Sequence, residues 1–358
     1  MNFNLENLVR ENIKRLTPYS SARKEFSGAA RVFLDANENS FGSPLERNYH
    51  RYPDSLQTEV KEIIAEMENV KQSEIFVGNG SDEAIDLLFR IFCRPRKDNV
   101  LICPPTYGMY QVAAEINDVG IKRANLTADF QLDFQRINQA IDENTKLLFI
   151  CSPNNPTGNV HAKSEILNLA KSFGGILVVD EAYIHFSSEK SLVGEINDFP
   201  NLVVLQTFSK AWGLAGLRVG LALANEEIIA LFNRVKPPYN VSQTAQEALI
   251  EALKNKSEVE KTIVEIVFER EELIEKLKGF SCVLKIYPSD ANFVLVKTTN
   301  AEKIYKFLLG EQIVVRNRTN VELCADCLRI TIGTPDENES LLKALEKHQK
   351  LYEKSFIY

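Results

Sequence analysis

The chain has 358 residues, 44% of them hydrophobic and 25% charged, which is the balance of a globular protein with ample length for a packed core. With 42 Lys plus Arg against 49 Asp plus Glu the net charge is −7, so a nucleic-acid partner is not expected. No apolar run approaches the roughly 20 residues of a membrane helix.

Met1 to Leu16 mixes acids and bases and has no apolar core of signal-peptide length, so a cytoplasmic protein is expected. Leu5, Leu8, Val9, Ile13 and Leu16 recur at helical spacing and predict one amphipathic helix, ended by Thr17-Pro18-Tyr19. That helix either reaches a second subunit or covers its own domain. Val32-Phe33-Leu34 reads as a short strand before the loop Asp35 to Gly42, where Asn37 and backbone amides are candidates for binding a carboxylate. Arg51-Tyr52-Pro53-Asp54 is a further loop, and a helical pattern runs from Leu56 to Met67.

Ile75-Phe76-Val77 leads through Gly78-Asn79-Gly80 into Ser81-Asp82-Glu83 and an apolar-periodic helix from Ala84 to Phe92. Strand, glycine turn and helix start form an anion site, since free N–H groups at a helix N-terminus point outward and glycine lets a phosphate approach. Plain helix capping by Ser81 explains the same residues. Val100 to Cys103 and Lys146 to Cys151 read as buried strands, ending in Pro104-Pro105-Thr106-Tyr107 and in Ser152-Pro153-Asn154-Asn155-Pro156-Thr157-Gly158.

Ile176 to Val179 is another strand, closed by Asp180-Glu181-Ala182-Tyr183. A carboxylate ending four apolar residues is costly unless it is paired or hydrogen-bonded. Leu202 to Leu205 is followed by Thr207, Ser209 and Lys210, a lysine set among small residues with Arg218 eight positions on. A lysine in an apolar pocket sheds its proton readily and can form a Schiff base. Hydroxyls and an arginine beside it would hold a phosphate. Together these are what pyridoxal 5′-phosphate (PLP) requires, with Asp180 as the counter-charge of its pyridine nitrogen and Tyr183 near its phenolate oxygen.

Strands alternating with helices from about residue 56 to 235 indicate an α/β domain with a mostly parallel sheet, whose ligands gather beyond the strand carboxyl ends. A long helical stretch from about Gln243 to Lys278 joins it to a smaller α+β part. There the strands are expected at Val283 to Tyr287, Asn292 to Val296, Ile313 to Val315 and Cys327 to Ile332, with helices at Ala301 to Leu309 and Glu337 to Lys354. Arg316 and Arg329 lie at or beside strands, where an arginine calls for an anion, either a bound ligand or the carboxylate of a surface salt bridge. Cys324 and Cys327 form a lone CxxC without a second pair or clustered histidines, so no metal is expected.

From Leu16-Thr17-Pro18-Tyr19 to Cys327-Leu328-Arg329-Ile330-Thr331 the chain resembles the fold-type I PLP aminotransferases, and within them the histidinol-phosphate aminotransferases. Ser209-Lys210 with Arg218, Asn155-Pro156-Thr157-Gly158 and Asp180-Glu181-Ala182-Tyr183 carry the wider likeness. Pro18-Tyr19 with Ser21-Ala22-Arg23, Arg51 to Asp54, Gly78 to Glu83 and Pro105 to Gly108 carry the narrower one. The resemblance implies an arm over 1–30, a small domain over 31–45 and 279–358, and a large PLP-binding domain over 46–278. It implies Lys210 as the Schiff-base lysine, Asp180 at the ring nitrogen, Asn155 and Tyr183 at the phenolate oxygen and Tyr107 against the ring. The phosphate falls to Ser81, Asp82, Glu83, Thr207, Ser209 and Arg218. Tyr52 is expected to reach the cofactor of a neighbouring subunit, making the active unit a homodimer. Arg329, helped by Arg316, Tyr19 and Asn37, would bind the α-carboxylate of glutamate or the phosphate of histidinol phosphate. Alternatives are an aromatic aminotransferase, a phosphothreonine decarboxylase on the same scaffold, or a non-enzymatic sensor tethered to a DNA-binding module. The short stretch before the first strand and the net charge oppose the last of these.

Overall fold

A computed structural model describes residues 3–19, 31–45 and 47–354. Its larger sheet has seven strands: β1 (Ile75–Gly78), β2 (Asn99–Ile102), β3 (Gly120–Arg123), β4 (Thr145–Cys151), β5 (Ile176–Asp180), β6 (Leu202–Thr207) and β7 (Gly220–Ala224). They lie in the order β1-β7-β6-β5-β4-β2-β3. The five from β6 to β3 are mutually parallel, while β7 runs antiparallel to both β6 and β1. The sheet is therefore mixed and mostly parallel.

The apolar runs are continuous because both faces are covered. Leu177, Val179, Leu202 and Val204 enter one core, and their neighbours Ile176, Val178, Val203 and Leu205 enter the other. One face packs on α3 (Thr58–Glu68), α6 (Phe134–Ala140) and α7 (Lys163–Ser172). The other packs on α4 (Ser81–Phe92), α5 (Met109–Ile116) and α8 (Glu226–Val235).

The N-terminus forms two one-turn helices, α1 (Leu5–Leu8) and α2 (Glu11–Lys14), in place of the single helix that the spacing predicts. Extended backbone at Val9 and Arg10 breaks it, and the Arg10 N–H donates to the carbonyl of Ile91 at 3.0 Å. Val9 and Ile13 are buried beside α4, so this segment covers its own chain. Val32 to Leu34 is not a strand: no neighbouring strand pairs with it, and Leu34 is 83% exposed. The edge strand β3, which only half buries its residues, gives no apolar run and is absent from the sequence reading.

The long helical stretch divides into α9 (Gln243–Leu253) and α10 (Lys256–Leu277) at Lys254-Asn255. Beyond it, β8 (Val283–Ile286), β9 (Phe293–Thr298), β10 (Arg316–Asn317) and β11 (Cys327–Thr331) form an antiparallel sheet in the order β10-β11-β9-β8. The strand expected at Ile313 to Val315 lies instead at β10. Helices α11 (Ala301–Gly310) and α12 (Pro335–Lys354), with α10, pack on the face that carries Val294, Val296, Leu328 and Ile330. The alternating residues Phe293, Leu295 and Cys327 point the other way, into the core of the larger sheet. Arg329 shares that second face by the period-two alternation of a strand, which is what brings it to the site below.

Candidate active site

The carboxyl ends of β4, β5 and β6 place Cys151, Asp180 and Thr207 along one rim of the larger sheet, and the face of β11 bearing Arg329 closes over it. Between them lies a cavity of ≈ 790 Å³. Most of the residues singled out from sequence line it: Ser81, Asp82, Tyr107, Asn155, Asp180 and Tyr183 on one side, and Thr207, Ser209, Lys210, Arg218, Arg316 and Arg329 on the other.

Asp180 is buried. One carboxylate oxygen accepts the Tyr110 hydroxyl at 2.7 Å and the other accepts the Ala182 N–H at 3.0 Å. No ion pair to it forms among the described residues, and burial raises its pKa, against the lowering influence of Tyr110 and Ala182. Lys210 lies 5.8 Å from the centroid of the Tyr183 ring. Its surface opens onto the cavity, yet the surrounding walls desolvate it enough to lower its pKa, helped by Arg329 and opposed by Asp180. An anionic group without a cation and an amine easily stripped of its proton thus share one pocket.

The anion site at the start of α4 is built by backbone. Gly80, at φ +79, supplies no side-chain cap, so the N–H groups of the first turn stay open toward the cavity. A Cβ at Gly80 would lie 2.8 Å from a guanidinium nitrogen of Arg218, and one at Gly220 would lie 2.2 Å from the Ser81 nitrogen. The backbone contact requires glycine at 220, whereas at 80 it is the positive φ that favours glycine, since the arginine tip could move aside. The Thr207 hydroxyl donates to that of Ser209 at 3.0 Å, Arg218 reaches the Ser209 hydroxyl at 3.5 Å, and Arg218 faces Asp82 at 3.5 Å. The Tyr107 hydroxyl donates to Asp82 at 3.1 Å, and the Tyr107 ring meets Tyr110 edge-on.

Asn155 joins the two sides of the cavity. Its amide donates to the Tyr183 hydroxyl at 3.3 Å, and its carbonyl accepts from Arg329 at 2.5 Å. The Arg329 guanidinium lies over the Phe293 ring at 5.1 Å, while its Nε is buried without a partner. Its loop is tied to the smaller sheet where the Asp290 N–H donates to the Gly158 carbonyl at 2.7 Å.

Four expected residues lie elsewhere. The Glu83 carboxylate turns away from the cavity and accepts from the Asn79 N–H and from Asn240 at 3.0 Å, leaving only its backbone amide for an anion. Asn240 in turn accepts from Lys236, which also donates to the Ser55 carbonyl at 2.7 Å, so the glycine turn is braced against the 54–57 loop. Tyr52 and Asn37 line a separate groove, with Tyr52 stacked on Tyr239 at 4.5 Å. Tyr19 is 73% exposed. This chain brings none of these last three to its own cavity, since each sits on a segment held to the outer surface. Ser21-Ala22-Arg23 lie outside the described residues.

Two residues that sequence reasoning assigned no role also meet the site. Tyr110 holds Asp180 from 70 positions away, and Arg318 lines the cavity beside Arg316 and Arg329. For Arg318 a signal existed, because it stands two residues from Arg316, on the same face of an extended segment. Cys324 and Cys327 are buried in the apolar core, and no cluster of metal-binding side chains occurs among the described residues.

The residues present fit PLP. A buried carboxylate lacking a cation suits a protonated ring nitrogen, a desolvated lysine suits a Schiff base, and an uncapped helix start flanked by hydroxyls and an arginine suits a phosphate.

Residues 30–345 match the family of class I and II aminotransferases. A histidinol-phosphate aminotransferase of Bacteroides thetaiotaomicron is 50% identical over 96% of this chain and 99% of its own length. One of Cytophaga hutchinsonii is 48% identical over 97% of this chain and its whole length. Among solved structures, the histidinol-phosphate aminotransferase of Clostridium acetobutylicum superposes with a TM-score of 0.78 at 28% identity, covering 85% of this chain and 92% of that one. The chain belongs to the class I and II aminotransferases, and within them to the histidinol-phosphate aminotransferase family.

Proposed function

We propose that the protein transfers an amino group between L-histidinol phosphate and 2-oxoglutarate, yielding imidazole acetol phosphate and glutamate. The observation that carries this reading is the single cavity in which Lys210 and a cationless Asp180 face an arginine-lined wall, in a chain half-identical to histidinol-phosphate aminotransferases. When bound, PLP supplies an electron sink that makes the α-hydrogen of an amine removable as a proton.

The chain's own residues do the rest. Asp180 would balance the positive charge of PLP's ring nitrogen, Asn155 and Tyr183 would hold its phenolate oxygen, and Tyr107 would pack against it. The amides of Ser81, Asp82 and Glu83, with Thr207, Ser209 and Arg218, would hold its phosphate. Lys210 Nζ, whose pKa is lowered chiefly by desolvation, would take the proton from the substrate carbon and hold it within the cavity for its return. Arg329 and Arg316 hold the carboxylate of glutamate or the phosphate of histidinol phosphate. Arg329 suits both because its planar fork meets either oxyanion with two parallel bonds.

We further propose a homodimer with shared sites. Tyr19, Val32, Leu34, Phe41, Leu45 and Tyr52 are all exposed large apolar or aromatic side chains within one stretch of the chain, and such a patch is what an obligate interface covers. Tyr52, Tyr19 and Asn37 would then serve the cavity of a second copy.

Incubation of the holoenzyme with histidinol phosphate and 2-oxoglutarate should produce glutamate. Lys210→Ala should abolish it, with phenylalanine a weaker competing donor. Carbon dioxide release that needs no 2-oxoglutarate would replace this reading with a decarboxylase.

A further inference from the structure

The ribbon formed by β10 and β11 places positive charge against positive charge. Arg316 stands directly opposite Arg329 in the antiparallel register. Pairing continues past the end of β10, where the Arg318 N–H donates to the Cys327 carbonyl at 2.9 Å. Arg318 therefore projects on the same face as Arg316, and all three guanidinium groups line the cavity. Like charges directly across a ribbon are destabilising.

Arg329 has the neutral Asn155 carbonyl and the Phe293 ring beside it, but among the described residues no carboxylate lies within ion-pair distance of Arg316, Arg318 or Arg329. Glu322 is taken by Arg123 at 3.0 Å, and Asp82 faces Arg218. Both Arg318 Nε and Arg329 Nε are buried without a hydrogen-bond partner. Two donors of high desolvation cost are thus unsatisfied within an arginine cluster whose residues line one cavity, an arrangement that favours an anion rich in acceptors there.

The two proposed amino donors differ in that respect. A carboxylate has one charge and two oxygens, which the fork of Arg329 with Arg316 can satisfy. A phosphate monoester carries about −1.5 to −2 charge near neutral pH and presents three acceptor oxygens. A third arginine brings no further benefit with the first ligand and a full charge-assisted bond with the second.

Resting on the function proposed above, we propose that Arg318 is the specificity-determining residue that favours the phosphate headgroup of histidinol phosphate over the α-carboxylate of glutamate. Arg329 and Arg316 read what the two substrates share, and Arg318 reads what only the phosphate has.

The test compares wild-type, Arg318→Gln and Arg318→Lys holoenzymes in the two half-reactions, assayed separately. A hydrogen bond to a charged group is worth about 1.5–3 kcal/mol, so the ratio of kcat/KM for histidinol phosphate to that for glutamate should fall about 10- to 100-fold in Arg318→Gln. The loss should lie mainly in KM, and Arg318→Lys should recover part of it. In the wild type, KM for histidinol phosphate should rise as pH falls through about 6, where the phosphate takes up its second proton, and Arg318→Gln should flatten that rise. An unchanged ratio would overturn the assignment. If the wild type fails to transaminate histidinol phosphate, the functional reading fails instead. Inhibition of the glutamate half-reaction by glycerol 3-phosphate then still tests Arg318, since it should weaken about ten-fold or more in Arg318→Gln and an equal inhibition constant would refute the role.

Discussion

Burying Asp180 costs the fold free energy that its hydrogen bonds return only in part. Its two hydrogen bonds keep the carboxyl from drifting further toward the neutral form, and the Tyr110 hydroxyl is the stronger of them. Removing that hydroxyl alone is possible because the Tyr110 ring is fully buried and stacks on Phe149 at 4.6 Å, packing that phenylalanine would keep. Tyr110→Phe should therefore fold normally while the Asp180 pKa rises still higher. A larger protonated fraction pairs less well with a positive ring nitrogen, so PLP should dissociate about ten-fold or more readily, as a lost charge-assisted bond implies. Titration of the cofactor by absorbance checks it, and an unchanged dissociation constant would show that Tyr110 is only packing. Asp180 and Lys210 were legible in the sequence because each contradicts its surroundings, a charge after an apolar run and a long amine among small residues. Tyr110 was not, because it acts through a contact 70 positions away in the chain, whereas Arg318 carried a signal in its spacing of two from Arg316 that the reading passed over.

Among elements, the ends of β5 and β6 are fastened to the 187–192 turn through Glu181. This buried carboxylate accepts from Ser191 at 2.5 Å, from the Leu192 N–H at 2.7 Å and from Gln206 at 3.2 Å. Desolvation outweighs those donors and pushes its pKa up to about 7. The unfolded chain releases this proton near the ordinary glutamate value of about 4.3 while the folded chain retains it to about 7. The folded state thus binds more protons across that window, and this group's contribution to stability is greatest below about 4.3 and falls as pH rises to about 7. Glu181→Gln, which cannot ionise, should show a smaller drop in unfolding free energy between pH 5 and pH 8 than the wild type. Denaturant titrations at both pH values check it, and equal drops would place the pH dependence elsewhere. The strands around this lock were legible because both faces of β4, β5 and β6 are covered and each carries a run of at least four consecutive apolar residues. β3 was not, since an edge strand half-exposed on both faces carries no such run. The break between α9 and α10 was also hidden, because the helical spacing continues across Lys254-Asn255 while the backbone does not.

For the whole molecule, the layered α/β architecture and the placing of the site at the strand carboxyl ends follow from the alternation of strands and helices. The reversed direction of β7 does not, because Gly220 to Ala224 is as apolar as any parallel strand, and only the short connection from β6 hints at the turn-back. The least legible part lies within residues 31–45, where the sequence reading placed a strand at Val32 to Leu34 and several large apolar side chains lie on the outside. Phe41 is fully exposed and Leu34 nearly so, although their types belong inside a structure. Burying each in a partner would contribute about 1.5–3 kcal/mol. If this face joins two copies, Leu34→Asp combined with Phe41→Asp should convert the sedimenting species from dimer to monomer. Transamination should fall with it, because Tyr52, Tyr19 and Asn37 lie away from the cavity of their own chain and would have none left to serve. The large sheet lies far from these two positions in sequence and keeps its core, so far-ultraviolet circular dichroism should not change. A wild-type monomer with full activity, or a double variant that remains dimeric, would show that this apolar face has another occupant.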